Sequence, residues 1–375
     1  MLKAKNRFAV LFLSVGSGHQ TAAEALAKAL SQVIEEENII VGDPFAKKIE
    51  ILPIILNTLQ ALSITIAPDI YDIAWRRSAA QNNYQWIKGM KILEDLLEEY
   101  VIKNQINIII ATHVLPCILA LNLKKSGRIK SVYGVITDFG AHSLWPTKEI
   151  DGYFVATSEL KNILTYRGVS PDLIHPTGIP IKEQYQKSFI KPVGKKTRVL
   201  MLAGGIRSSG YIGLRRYIFD FLDHIDKLSL KNIAITIVTG NQRQLKKDLI
   251  KYQKKTDLDV KILGFVHDIP KLMMVNDILI TKPGGMIISE ALAVGMCIII
   301  TQPGPGQETA NAEFLARNGI ALKGETPEEV LEILRFSLQK PEEIYQLKVK
   351  TKQFGNTQSA SEISSIISKM EKEEV

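Results

Sequence analysis

Short apolar, β-branched runs alternate with amphipathic stretches through most of the chain. Phe8–Ser14 is apolar up to its last residue and reads as a buried strand. In the following His19–Val33, alanines, Leu26, Leu30 and Val33 recur at helical spacing. Ile39–Val41 predicts a short strand that closes on Gly42-Asp43-Pro44. Ile106–Ala111, Ser131–Thr137 and Tyr153–Ala156 predict three more strands. A second series follows at Arg198–Leu202, Ala234–Val238, Val260–Leu263, Ile278–Thr281 and Cys297–Thr301, with helical segments between. Strands alternating with helices are the mark of parallel sheets covered on both faces, so the fold class is α/β, with two doubly wound domains.

The rhythm breaks twice. Phe45 to about Tyr100 is long, apolar and helical in pattern, with Lys47, Lys48, Arg76, Arg77, Lys88 and Lys91 set among Ile, Leu, Trp75 and Trp86. Gly178–Lys196, with Pro180, Pro192, Gly194 and several lysines, marks a boundary. The expected organisation is a domain over 1–180, a linker over 181–196 and a second domain over 197–355. A tail over 356–375 carries the amphipathic helix Ser359–Lys372, expected to pack back on the first domain.

Charge narrows the choice of partner. A formal net charge of +8 favours phosphates, anionic lipid or nucleic acid. No Cys/His finger spacing or aromatic-rich basic strand points to nucleic acid. Ile51–Ala67 is uncharged but holds Pro53, Asn57, Gln60, Ser63 and Thr65, and falls short of the roughly 20 apolar residues a bilayer span needs. The apolar run after Met1–Arg7 ends in Gly16-Ser17-Gly18, which reads as a strand entering a turn and not as a signal peptide. Cys117 and Cys297 lie in apolar runs and fit a reducing compartment. The expected location is cytoplasmic, with peripheral contact at the cytoplasmic face of an anionic membrane through the 45–100 region.

Four strand ends carry candidate chemistry. At the first, Gly16 and Gly18 allow a ligand close to the backbone, and His19 opens a helix whose dipole disfavours its charged form. A neutral imidazole there suits a general base for a hydroxyl acceptor; a glycine turn with a capping histidine is the alternative. At the second, Thr137-Asp138 leads to His142 and Trp145. The carboxylate can orient a histidine and the indole offers a flat face; a loop with a core Trp and an Asp helix cap is the alternative. At the third, Gly204-Gly205-Ile206-Arg207-Ser208-Ser209-Gly210 suits a diphosphate but lacks the Lys-Ser/Thr of a nucleotide P-loop. The fourth is the most informative. Pro283-Gly284-Gly285 opens a helix that carries Glu290, whose two oxygens can accept from both ribose hydroxyls, and Gln307-Glu308 follows the next strand, placed to read a hexose.

These residues resemble the monogalactosyldiacylglycerol synthase and processive diacylglycerol glucosyltransferase family. They are more distantly similar to the N-acetylglucosaminyltransferase that completes the lipid-linked peptidoglycan precursor. The resemblance runs over nearly the whole chain and is most specific at Gly16-Ser17-Gly18-His19 with Ala22-Ala23, at Thr137-Asp138 to Trp145, and at Pro283 to Asn311. It implies the GT-B architecture, two Rossmann-like domains facing a central cleft, and inverting hexose transfer from a UDP-sugar to diacylglycerol or another lipid, with no cofactor and no catalytic metal. It also implies roles: His19 and Asp138 as catalytic groups; Gly16, Gly18, His142 and Trp145 at the acceptor; Gly204 and Gly205 against the pyrophosphate; Phe265 and Val266 against the uracil; Gly284, Gly285 and Glu290 at the nucleotide; and Gln307 and Glu308 at the sugar. Arg207 departs from the family's small residues and stands where it can neutralise leaving UDP. The alternatives are transfer of N-acetylglucosamine to a polyprenyl-linked precursor, a sugar-nucleotide epimerase, and a non-catalytic UDP-sugar sensor.

Overall fold

A computed structural model describes residues 6–14, 17–46, 91–142, 144–203, 210–228 and 232–373. The chain divides into two compact units. One is built from residues up to Glu183, Pro305–Gln307 and Asn356 onward, the other from Gln184–Gly304 and Glu308–Gly355.

The first unit holds a six-stranded parallel sheet: β1 (Phe8–Leu11), β2 (Ile39–Gly42), β3 (Ile108–Ala111), β4 (Ser131–Val135), β5 (Gly152–Phe154) and β6 (Ile174–His175). Its order is β2-β1-β3-β4-β5-β6. Its helices are α1 (Gly18–Leu30), α2 (Lys91–Asn104), α3 (Val114–Lys125), α4 (Ser158–Tyr166) and α12 (Ser359–Glu373). The central strands β1 and β3 are apolar and buried at every position because both faces are covered. Ala9 and Leu11 of β1, with Ile109 and Ala111 of β3, pack on the side of Leu97 of α2 and Ile118 of α3. Phe8 and Val10, with Ile108 and Ile110, face Leu26 of α1 and Ile363 and Ile367 of α12. The last helix therefore completes one face of the first sheet. Glu371, on α12, accepts from Tyr133 Oη at 2.8 Å and from Lys130 Nζ at 2.9 Å, tying the helix to β4.

The second unit has its own six-stranded parallel sheet: β7 (Thr197–Leu202), β8 (Ile233–Val238), β9 (Val260–Leu263), β10 (Ile278–Thr281), β11 (Cys297–Ile300) and β12 (Leu322–Lys323). The order β12-β11-β10-β7-β8-β9 is the doubly wound order of dinucleotide-binding folds. Helices α5 (Gly210–Lys227), α6 (Arg243–Gln253), α7 (Ile269–Val275), α8 (Gly285–Val294), α9 (Gln307–Arg317), α10 (Pro327–Gln339) and α11 (Pro341–Phe354) complete it. Gly295 ends α8 at φ 77°, a left-handed conformation, and a Cβ there would lie 3.0 Å from the Lys348 carbonyl. Only glycine meets both conditions at low cost.

The two-residue edge strands β6 and β12 have no counterpart in the hydrophobic pattern; the other strands agree to within a few residues. Among the described residues, no helix is long and apolar enough to cross a membrane. Of the region expected to contact lipid, residues 47–90 lie outside the described residues.

Candidate functional site

In each sheet the strand order reverses once, between β1 and β3 in the first and between β7 and β10 in the second. Ligands of doubly wound folds bind at the carboxyl ends of strands beside such reversals. The candidate residues fall into two groups at these ends, and each group is described within its own unit.

In the first unit, His19 stands one residue inside α1, after β1. Its Nδ1 lies 2.8 Å from the carbonyl oxygen of Thr112, at the end of β3, and 3.0 Å from Thr137 Oγ1, beyond β4. Thr112 Oγ1 returns a hydrogen bond to the His19 carbonyl at 3.0 Å. A carbonyl oxygen can only accept, so Nδ1 carries the proton of the neutral ring and Nε2 keeps a lone pair. Burial lowers the His19 pKa from its ordinary value, and the Thr112 carbonyl opposes this only in part. The ring is thus a neutral base with a fixed tautomer.

Two more histidines stand near it. His113 caps α3, its Nδ1 accepting from Leu115 N at 3.1 Å, and its ring meets His19 edge-to-face with centroids 4.8 Å apart. Burial, followed by the charges of His19 and His142, holds its pKa well below the usual range. His142 accepts from Leu144 N at 3.1 Å, and burial followed by the Arg167 guanidinium lowers it to about 4. Arg167 donates to the carbonyls of Ala141 and His142 and so anchors this loop. Among the described residues, no three His, Cys, Asp or Glu side chains are grouped as metal ligands. Asp138 is half-buried after β4. Gly18 begins α1, whereas Gly16 lies outside the described residues. Trp145 differs from its expected open face. It is buried, packed edge-to-face on Tyr153 with centroids 5.9 Å apart, while Tyr153 Oη donates to the Pro146 carbonyl at 2.6 Å. The indole is drawn inward because Gly134 leaves room for the Tyr153 ring; a Cβ there would lie 2.3 Å from it.

In the second unit, β10 runs through Lys282-Pro283 into α8, whose N-cap Gly284 has no side chain to cap the first amides. Free amide groups at such a terminus suit an anion. Glu290, on the second turn of α8, is buried beside the fully buried Tyr185, whose phenol is raised by burial first and by the Glu290 carboxylate second. Glu308, on the first turn of α9, is clamped: one oxygen pairs with Lys282 Nζ and the other accepts from Gly304 N at 2.7 Å. Gln307, the first residue of α9, is half-buried and is grouped with the first unit. Asn311, fully buried, donates to the Pro283 carbonyl at 2.9 Å and joins α9 to the loop before α8. Beyond β9, Phe265 is exposed with its ring edge-to-face on His267, and Val266 is half-buried. Gly204, Gly205 and Arg207 lie outside the described residues.

Three residues of this ensemble were passed over in the sequence. His113 sits in Ala-Thr-His-Val-Leu-Pro, which reads as an ordinary helix start. Lys282 shows its role only through Glu308, 26 residues away. Gln302, with φ 43° and a buried Oε1 that has no hydrogen-bond partner, occupies a strained turn just beyond β11. A non-glycine residue before a proline in Thr-Gln-Pro-Gly-Pro-Gly is the one sequence signal for it.

Two doubly wound parallel units, each with candidate ligand groups at a strand-order reversal, define a GT-B glycosyltransferase architecture. Solved structures agree on the fold. Acinetobacter baumannii MurG aligns over 97% of this chain and 99% of its own, with 16% identity and a TM-score of 0.60. A putative UDP-N-acetylglucosamine 2-epimerase from Listeria monocytogenes aligns over 99% and 98%, with 14% identity and a TM-score of 0.63. The family is fixed by sequence. Residues 19–181 match the monogalactosyldiacylglycerol (MGDG) synthase model, and residues 204–365 match the glycosyltransferase family 28 C-terminal domain. A processive diacylglycerol beta-glucosyltransferase of Bacillus cereus (strain B4264) is 30% identical over 352 residues, covering 90% of this chain and 87% of the relative. The chain belongs to this diacylglycerol glycosyltransferase family.

Proposed function

We propose that this protein transfers a hexose from a UDP-sugar to the free hydroxyl of diacylglycerol, with inversion at the anomeric carbon. The observation that carries the reading is the tautomer of His19, held by the Thr112 carbonyl so that Nε2 is the basic atom. As the acceptor oxygen bonds to the anomeric carbon, His19 Nε2 takes its proton. The bond from that carbon to the diphosphate oxygen breaks, and its electron pair leaves with UDP. Asp138, beyond β4, is the alternative base for that proton on the acceptor side.

Gly16, Gly18 and His142 shape the acceptor pocket, while Trp145 supports its floor from the core. In the second unit, the uncapped amides of α8 with Gly284 and Gly285, together with Gly204, Gly205 and Arg207, receive the diphosphate. Lys282 adds a cation at the same strand end. Glu290 holds the ribose, Phe265 and Val266 lie against the uracil, and Gln307 with the clamped Glu308 reads the hexose. The mechanism needs no metal and no cofactor, because these groups carry the leaving charge.

The polarity of the acceptor end favours diacylglycerol over a polyprenyl diphosphate. Three low-pKa histidines present neutral rings, which suit an uncharged alcohol better than a charged phosphate. The protein works peripherally on the cytoplasmic face of an anionic membrane, with the basic and apolar residues of the 45–100 region as the contact.

The test measures UDP release with diacylglycerol vesicles for the wild type and His19→Ala, with UDP-sugar dissociation constants alongside. Turnover is expected to fall by about 100-fold or more, with donor affinity unchanged. Loss of donor binding at unchanged turnover overturns the assignment.

A further inference from the structure

His113 has no role in the mechanism above, yet its side chain is as tightly specified as that of His19. Its Nδ1 accepts the Leu115 amide hydrogen at 3.1 Å, so that nitrogen is a lone pair and, in the neutral ring, the proton sits on Nε2. Among the described residues Nε2 has no hydrogen-bond partner, and His113 is only half-buried. His19 is the mirror case: its Nδ1 donates, and its free Nε2 accepts. Two adjacent rings, 4.8 Å apart at their centroids, are thus held in opposite tautomers by the Thr112 carbonyl after β3 and the Leu115 amide of α3. One offers a lone pair and the other an N–H.

Diacylglycerol carries the complementary pair on one glycerol unit. Its free hydroxyl has a proton to give up, and its ester carbonyls can only accept. Resting on the function proposed above, we infer that His113 is a specificity-determining residue whose Nε2–H holds an ester carbonyl of the acceptor while His19 takes the hydroxyl proton. A neutral donor suits this place better than a lysine or arginine, because it does not repel the imidazolium that forms on His19. Burial and the neighbouring histidines keep His113 in that neutral state. On this arrangement simple long-chain alcohols, which have a hydroxyl but no carbonyl beside it, are expected to be poorer acceptors.

The test uses ether lipids. Dialkylglycerol has the same hydroxyl and chains but no carbonyls. With the full-length enzyme and whichever UDP-sugar supports transfer, kcat/KM is measured for dioleoylglycerol and its di-O-oleyl analogue in matched mixed micelles. The wild type is expected to prefer the ester by about tenfold, the worth of one hydrogen bond to a buried group, mainly through KM. His113→Ser retains an oxygen that caps α3, so folding is preserved, but it cannot reach as a ring N–H does. Its ester-to-ether ratio is expected to fall to about one or two, and His113→Asn, which caps and also donates, to recover part of the preference.

A merely structural His113 would lower both rates and leave the ratio intact, and that result overturns the inference. Equal use of both lipids by the wild type also overturns it, while leaving hexose transfer to glycerolipids standing. Failure of the wild type to glycosylate either lipid overturns the proposed function, and the inference falls with it.

Discussion

Lys348→Met is expected to destabilise the second unit severely, because it breaks a buried ion pair from one side. Lys348 is 4% exposed, and its Nζ donates to Asp277 Oδ1 at 2.9 Å and to the Lys191 carbonyl at 3.0 Å. Asp277 is 8% exposed, and its other oxygen accepts, among the described residues, only the Arg198 amide at 3.1 Å. Methionine fills much the same volume, so the loss is electrostatic: a buried carboxylate left with one donor, and one orphaned carbonyl. Breaking a buried pair in this way costs about 3–5 kcal/mol. Domains hold only ~5–15 kcal/mol in total, so the variant loses about a fifth of its stability or more. At about 2–4 °C per kcal/mol for a unit of this size, the melting transition should drop by roughly 6–20 °C. Asp277→Asn with Lys348→Met removes the stranded charge, and the double variant is expected to regain most of the loss. Calorimetry and urea titration of the three variants and the wild type provide the readout. A single variant within about 1 kcal/mol of the wild type, or a double variant no better than the single, would refute the reasoning.

Since the proposed base must be neutral and burial lowers its pKa, kcat/KM should stay flat above the ordinary histidine value and fall only as pH drops through the lowered one. An acid limb centred at or above about 6.5 would contradict this. Glu308→Gln strips Lys282 of its charge partner and should weaken UDP-sugar binding by about 5- to 30-fold in calorimetric titration, with little change in acceptor KM. Tyr133→Phe leaves the buried Glu371 carboxylate with Lys130 alone. It should cost about 1–3 kcal/mol and speed hydrogen exchange selectively in α12.

The pattern of apolar runs made the α/β class legible because the central strands, buried on both faces, carry few polar positions to disguise them. Ile278–Thr281 and Val260–Leu263 can be read residue for residue. Ile174–His175 and Leu322–Lys323 cannot, since a two-residue edge strand exists only through its neighbour. The site was legible where a motif is local, as in Gly18-His19 or Pro283 to Glu290. It was not legible where function depends on distant partners. The tautomer of His19 is set by Thr112, 93 residues on, and nothing in Ala-Thr-His-Val-Leu-Pro announces that His113 meets it. Trp145 shows the reverse error, an aromatic in a promising loop that the Gly134 gap draws into the core.

The most direct test of the central claim identifies the product. Purified enzyme is incubated with diacylglycerol in anionic vesicles and with UDP-glucose, UDP-galactose or UDP-N-acetylglucosamine in turn. Lipids are analysed by mass spectrometry and the new linkage by NMR. A hexosyl-diacylglycerol with a β linkage formed from the α-linked donor is the predicted result. Donor binding with no glycosylated diacylglycerol from any of the three, or an α-linked product, would contradict it.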